Sequence, residues 1–224
     1  MKVEIWSDVM CPFCYIGKRQ FEQALKQFGH SNHIQIEWRS FQLNPGMETN
    51  PDASINDYLA ESKGWSVDQA RQMNRRVTNM AKDVGLTYDF DRAVVANSFD
   101  AHRLIQFAKT MDKGDKAEEA LFHAYFTDGK NIADHKTLIK LAANIGLNPE
   151  NATAVLESDQ FSNAVKHDIE IARSLDIRGV PFFLFNRKYA ISGARETEIF
   201  LKALKKAYSE WKKKGEEANG TARD

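Results

Sequence analysis

Residues 7–18 read SDVMCPFCYIGK, and what flanks them decides the fold. Upstream, residues 2–7 (KVEIWS) form a short strand candidate. Downstream, Phe21, Ala24, Leu25 and Phe28 fall at i, i+3, i+4 and i+7, so the spacing predicts an amphipathic helix over about 12–28. Residues 33–41 (HIQIEWRSF) then alternate, with Ile34, Ile36 and Trp38 on one face, and predict a second strand. Strand, helix, strand opens an α/β layer, and it places Cys11 where the first strand hands over to the helix.

That placement gives the C-P-F-C tetrapeptide its chemical meaning. A sulfur at a helix N-terminus faces unpaired N–H groups and the positive end of the helix dipole, both of which favour a thiolate. Cys11 is thus the expected exposed nucleophile, and Cys14, one turn in and partly shielded, the thiol that resolves a mixed disulfide. Pro12 fits the first turn, where its missing donor is not needed. Half of a zinc site and two inert thiols are the alternatives. A structural zinc site needs four ligands, no third Cys exists, and among the six His only His30 and His33 are closely spaced, so no metal is expected.

Outward from this centre, the chain changes character after residues 44–54 (NPGMETNPDAS). Helical periodicity takes over until about 155. Ser66 and Gln69 form a capping-box pattern before Val67, Ala70, Met73, Val77, Met80 and Val84, which line one face. Further helices are predicted near 98–111, 115–126 and 134–146, and Asn148-Pro149 starts another. This segment is expected to hold no strand. The α/β pattern resumes with a helix over about 158–175, strands within 178–186 and 188–194, and a last helix over about 196–213 carrying Phe200, Ala203, Leu204 and Ala207. The tail from 214 to 224 has almost no core-forming residue and is expected to fray. The expected division is 1–50 and 157–213 as two parts of one α/β domain, 51–156 as a helical insertion domain, and 214–224 as a flexible tail.

Composition narrows the function classes. The 224 residues are 42% hydrophobic with 14 Phe, enough for a sizeable core. Lys plus Arg and Asp plus Glu both number 31, so no global field draws in nucleic acid or an anionic membrane. No apolar run is long enough to span a bilayer. Glu4 and Asp8 stand where a signal peptide would be apolar, which, unless a leader has been trimmed, predicts a cytoplasmic protein. Whether it is a monomer or a homodimer stays open.

The strand, the C-P-F-C helix start and the later Gly179-Val180-Pro181 opening a strand resemble the thioredoxin superfamily, and the long helical insert resembles its DsbA group. More narrowly, SDVMCPFCYIGK, residues 97–103 (NSFDAHR), 125–138 (YFTDGKNIADHKTL) and 176–195 (DIRGVPFFLFNRKYAISGAR) resemble the FrnE-like branch, near the 2-hydroxychromene-2-carboxylate isomerases and kappa-class glutathione transferases. The resemblance covers roughly residues 1–210. It implies a thioredoxin-like α/β fold with a large all-helical insertion, and a thiol:disulfide oxidoreductase acting on protein, peptide or small-molecule thiols. Glutathione is a candidate redox partner and no bound cofactor is implied. The other readings are a glutathione-dependent transferase or isomerase, in whose family a Ser replaces the first Cys, and a chaperone-like binding module.

The resemblance also assigns residues. Pro181 is expected to be cis and to turn the backbone of Val180 toward substrate. Glu4, allowing one extra residue before the cysteines, resembles the buried acid that moves a proton to or from the second Cys. Phe13 stands where strongly oxidising relatives carry His, so the disulfide is expected to be less oxidising. His102 and Arg103 are candidate substrate contacts from the insert, and Arg178 and Arg195 flank the expected groove. Independently of the resemblance, Asp8 lies in a loop close to Cys11 and is expected to face water; pointing inward, its charge would disfavour a thiolate.

Overall fold

The computed structural model describes residues 1–220. Four strands make the central sheet: β1 (Lys2–Ser7), β2 (Gln35–Ser40), β5 (Phe182–Phe185) and β6 (Tyr189–Ser192), in the order β2-β1-β5-β6. β1 and β2 run parallel, with Ile5 opposite Trp38; β5 is antiparallel to β1 and β6 to β5, with Phe183 opposite both Ile5 and Ile191. Residues 1–40 and 162–220 supply this layer. It is a thioredoxin-like α/β core interrupted by a large helical insertion.

Period-two alternation along β1 sorts the two faces. Val3 and Ile5 face α1 (Pro12–Phe28) and α9 (Thr197–Gly220), meeting Phe21, Ala24, Phe200 and Leu204. The Phe21 ring packs 5.4 Å from Phe183, and Phe183 lies edge-on to Phe200 at 4.6 Å. Trp6 faces the other way, onto Ala172 of α8 (Ser162–Ser174), with Ile177 and Leu184. Its indole N–H donates to the Asp168 carbonyl at 3.1 Å.

The insertion contains α2 (Ile55–Lys63), α3 (Val67–Asp83), α4 (Phe99–Lys109), α5 (Gly114–Phe126), α6 (His135–Asn144) and α7 (Pro149–Leu156). It is not free of strands: β3 (Asn50–Ser54) and β4 (Val94–Val95) form a two-stranded antiparallel pair at its edge. β3 (NPDAS) has no β-branched residue and β4 is only two valines long, so neither shows as a strand pattern in the sequence. α1 belongs to both halves, because Cys11, Cys14, Tyr15 and Ile16 join the insert core with Leu104, Leu121, Phe122 and Phe126.

Helix starts follow their caps. Ser66 and Gln69 make the reciprocal capping box, and the Asn148 side chain accepts from Asn151 N at 3.0 Å. The buried face of α3 is shifted from the expected one. Ala70, Asn74, Val77 and Ala81 are buried while Met73 is exposed, because α2 offers Asn56 as a 2.9 Å hydrogen-bond partner for Asn74. The last helix also outruns its expected end at 213 and continues to Gly220; residues 221–224 of the expected tail lie outside the described residues.

Candidate active site

Cys11 is the N-cap of α1, with extended backbone angles and Pro12 in the first turn. Its N–H donates to the Asp8 carbonyl at 2.9 Å and its own carbonyl accepts from Cys14 N at 3.0 Å, which closes the turn. The Cys11 thiol lies 3.6 Å from the carbonyl oxygen of Val180, its hydrogen-bond acceptor. The Val180–Pro181 peptide is cis. Both thiols are free. Neither is open to solvent: Cys11 is 3% exposed, against the expectation of an exposed nucleophile, and Cys14 is 1% exposed. The Val180 segment and the insert close over them.

Burial, reinforced by the neighbouring Cys11, pushes the Cys14 thiol well above its ordinary pKa; the Asp8 backbone and the Ser7 hydroxyl act in the opposite direction with less effect. Cys14 is therefore a protonated thiol at rest, and it must lose that proton before it can attack. Pro181 sits against α1 because residue 17 is glycine: a Cβ there would meet Pro181 Cγ at 3.1 Å and Phe183 Cζ at 3.5 Å. On the insert side, Tyr88 donates its hydroxyl to the Pro12 carbonyl at 2.8 Å and stacks on Phe126 at 4.6 Å. Tyr15 donates to Glu119 at 2.6 Å, and Arg19 pairs with the same carboxylate. Burial opposes the Glu119 charge, but these two partners hold its pKa down at about 2.

Several expected site residues stand elsewhere. Glu4 is buried but lies on the α8 face of the sheet, alternating with Val3 and Ile5, while α1 and Cys14 lie on the other face. The one extra residue between strand and cysteines has turned the acid away. There Glu4 is bound by Arg39 and Arg187. Burial would raise its pKa, yet the two guanidiniums hold it below the ordinary carboxylate value. An acid so paired is no proton carrier for Cys14.

His102 is 0% exposed and so is not a surface contact for substrate; its Nε2 lies 3.3 Å from Asp8 Oδ1. Asp8, expected in water, is likewise 0% exposed and also accepts from Leu43 N at 2.7 Å. Arg103 is buried because it fastens α4 to the end of α7, donating to the carbonyls of Gln160 (2.9 Å), Val155 and Ser158 and to Asp100 (2.7 Å). Arg178 is exposed and bound to Asp176 at 2.9 Å, and Arg195 donates to the Ser192 carbonyl at 3.0 Å. Phe13 is 36% exposed next to Cys14 in the chain, and Val180 is half-buried.

Ser7, Gly17, Tyr88 and Glu118 were not singled out by the sequence. Only Gly17 carried a legible signal, a glycine inside a helix whose spacing demands an apolar or close-packed face.

Residues 2–205 match the family described as the DSBA-like thioredoxin domain. The uncharacterized protein YwbO of Bacillus subtilis (strain 168) is 30% identical over 207 residues, covering 90% of this chain and 94% of its own. The crystal structure of a probable DsbA oxidoreductase from Streptomyces coelicolor superposes with a TM-score of 0.88 at 35% identity, covering 94% of this chain and 91% of that one. A cytosolic disulfide reductase, DsbM, from Pseudomonas aeruginosa, solved with GSH, shares the fold at TM-score 0.62 and 16% identity, with 96% and 98% coverage. The chain belongs to the DsbA-like thioredoxin family.

Proposed function

We propose that this DsbA-like protein is a thiol:disulfide oxidoreductase of the FrnE-like branch, exchanging the Cys11–Cys14 disulfide or dithiol with protein, peptide or small-molecule thiols. The observation that carries this reading is the unequal setting of the two sulfurs: Cys11 caps α1 against the Val180 carbonyl, while Cys14 lies a turn deeper with its thiol held protonated. In the direction of substrate reduction, the Cys11 thiolate attacks a substrate disulfide and one substrate thiol leaves. Cys14 then loses its proton, attacks the Cys11 sulfur and releases the second thiol. Cys11 and Cys14 carry the covalent steps, and the Val180–Pro181 segment and the exposed Phe13 ring border the substrate.

Glutathione is the small-molecule partner in this reading, and the cytoplasm its compartment, supported by the GSH-bound relative whose name is cytosolic disulfide reductase. The thioredoxin-like parts 1–50 and 157–213 hold the chemistry, and the insertion 51–156 walls it.

The test is trapping. Cys14→Ser should accumulate mixed disulfides through Cys11 when offered oxidised glutathione or a peptide disulfide, and Cys11→Ser should trap almost none. Equal trapping by both single variants overturns the assignment. Glutathione-transferase or isomerase turnover, or chaperone activity, that survives replacement of both cysteines by Ser would favour those readings instead.

A further inference from the structure

The α1 face of β1 brings no acid to the cysteines, yet three titratable side chains are buried against the loop that leads into Cys11. Asp8 in that loop, His102 on α4 and Glu118 on α5 are 0%, 0% and 1% exposed. Asp8 Oδ1 accepts from Met10 N at 3.4 Å and meets His102 Nε2 at 3.3 Å; Oδ2 accepts from Leu43 N. The main-chain carbonyl of the same residue takes the Cys11 N–H. The cluster is incompletely satisfied. Glu118 Oε2 is buried with no hydrogen-bond partner among the described residues, and the His102 ring, beyond Asp8, has only the Phe41 backbone to turn to. Each such atom costs about 1–3 kcal/mol, and native folds keep few of them.

The proton balance of the exchange gives these groups a use. A reduced enzyme that reacts as a Cys11 thiolate and a Cys14 thiol holds one proton, while the two substrate thiols it releases need two. We propose that the helical insertion supplies the second: the Asp8–His102–Glu118 cluster holds one extra proton while the cysteines are reduced and gives it up when they form a disulfide. This deepens the oxidoreductase reading and rests on it.

Bond by bond, the substrate S–S bond breaks and the Cys11–Cys14 bond forms. The electron pair passes to the substrate sulfurs, and the Cys14 proton and the cluster proton leave with the two thiols through solvent. The physical link is charge. A thiolate on Cys11 repels a second negative charge nearby, so the cluster keeps its proton; the disulfide is neutral, and the proton is released. None of the three side chains is hydrogen-bonded to a sulfur, so they act as positioning residues through the field and through the Asp8 carbonyl.

The surroundings suit this role. Burial opposes the charge on His102, but the Asp8 carboxylate, with Glu118 and the Phe41 backbone, holds its pKa above the ordinary value. Burial raises Glu118 to about 7; His102 and Lys18 pull it down, and Asp115 and Asp8 push it up. From α1 the cluster is faced by Lys18, which is itself bound to Glu22, Asp115 and Glu119, and from α5 by Tyr125.

The experiment is redox equilibration of the intact protein with reduced and oxidised glutathione across pH. If the cluster exchanges its proton, reduction of the wild type takes up as many protons as glutathione oxidation releases, and the exchange constant is flat through an interval around neutral pH. In Glu118→Gln it should rise tenfold per pH unit through the same interval, equivalent to about 30 mV per unit. In His102→Gln, which removes a cation beside Glu118, the flat interval should move to higher pH. Identical pH slopes in wild type and Glu118→Gln, or an unmoved interval in His102→Gln, overturn the proposal. If Glu118→Gln does not fold, the redox-difference infrared spectrum of the wild type decides: a protonated-carboxyl band must be lost on oxidation near neutral pH, and its absence overturns the proposal. A wild type that exchanges with no disulfide at any pH overturns the oxidoreductase reading as well, whereas exchange with unchanged slopes removes the proton reservoir alone.

Discussion

On the α8 side of β1, Glu4 is bound by Arg39 and Arg187, and Asp168 accepts from Arg39 at 2.8 Å, Ser40 N at 3.0 Å and Gln106 Nε2 at 2.6 Å. Past the end of β1, between its loop and the insertion helices α4 and α5, Asp8, His102 and Glu118 are as deeply buried but leave a carboxylate oxygen unpartnered. The first cluster is a closed account of charge: opposite signs meet and every carboxylate is satisfied, so it fastens β1, β2 and α8 together. The second has capacity left over, and it adjoins the segment that changes charge in the proposed reaction. The two clusters are alike in depth of burial and differ in completeness of pairing.

The largest expected effect comes from breaking the satisfied cluster. Arg39→Ala takes from Glu4 one of its two guanidinium partners and from Asp168 its only guanidinium, leaving Asp168 with Ser40 N and Gln106 as hydrogen-bond donors, and should cost about 3–5 kcal/mol in urea unfolding, with glutathione exchange unchanged while the protein is folded. A cost below about 1 kcal/mol would show that the cluster is not the fastening described.

The two buried glutamates should then separate by pH. Glu4 has its folded pKa depressed, so its stabilisation is present above the unfolded value near 4.3 and is lost as pH falls through the folded value. Glu118 has its folded pKa raised to about 7, so the folded state holds a proton that the unfolded state has released. Stability therefore falls as pH rises from about 4.3 to about 7, by about 4 kcal/mol. Glu118→Gln should remove that fall and gain relative to wild type at pH about 8; Glu4→Gln should lose about 1–3 kcal/mol at neutral pH and match wild type in acid. Unfolding at acid and alkaline pH checks both, and parallel curves for the two variants would erase the distinction.

Smaller effects sharpen the picture at the cysteines. Gly17→Ala forces a methyl to 3.1 Å from Pro181 Cγ and should cost about 1–3 kcal/mol, with slower exchange as the Val180 segment shifts. Unchanged stability and exchange would mean that the segment yields freely. Phe13→His places a donor and, when protonated, a positive charge beside the reduced pair. It should shift the glutathione equilibrium about tenfold toward the dithiol, close to 30 mV. An unmoved equilibrium would leave the helix terminus and the backbone around Val180 as the controlling elements.

What could be read in the sequence follows the range of the interaction involved. The C-P-F-C helix start, the helix faces on α1 and α9, the capping box at Ser66 and the layout of an α/β core around a helical insertion all arise from contacts within a few residues, and each is visible as spacing or a cap. Asn74 shows where that stops: its burial depends on Asn56, on another helix. Asp8 looked like a loop residue in water because nothing local could satisfy it.

The sequence by itself determined the elements, their order and the two sulfurs one helical turn apart. Tertiary structure decided which face Glu4 turns to, how deeply Cys11 is covered, and that Asp8 meets His102 across 94 positions of chain. Periodicity and capping are properties of a short segment, whereas the cost of burying a charge is set by partners that only the completed fold brings within reach.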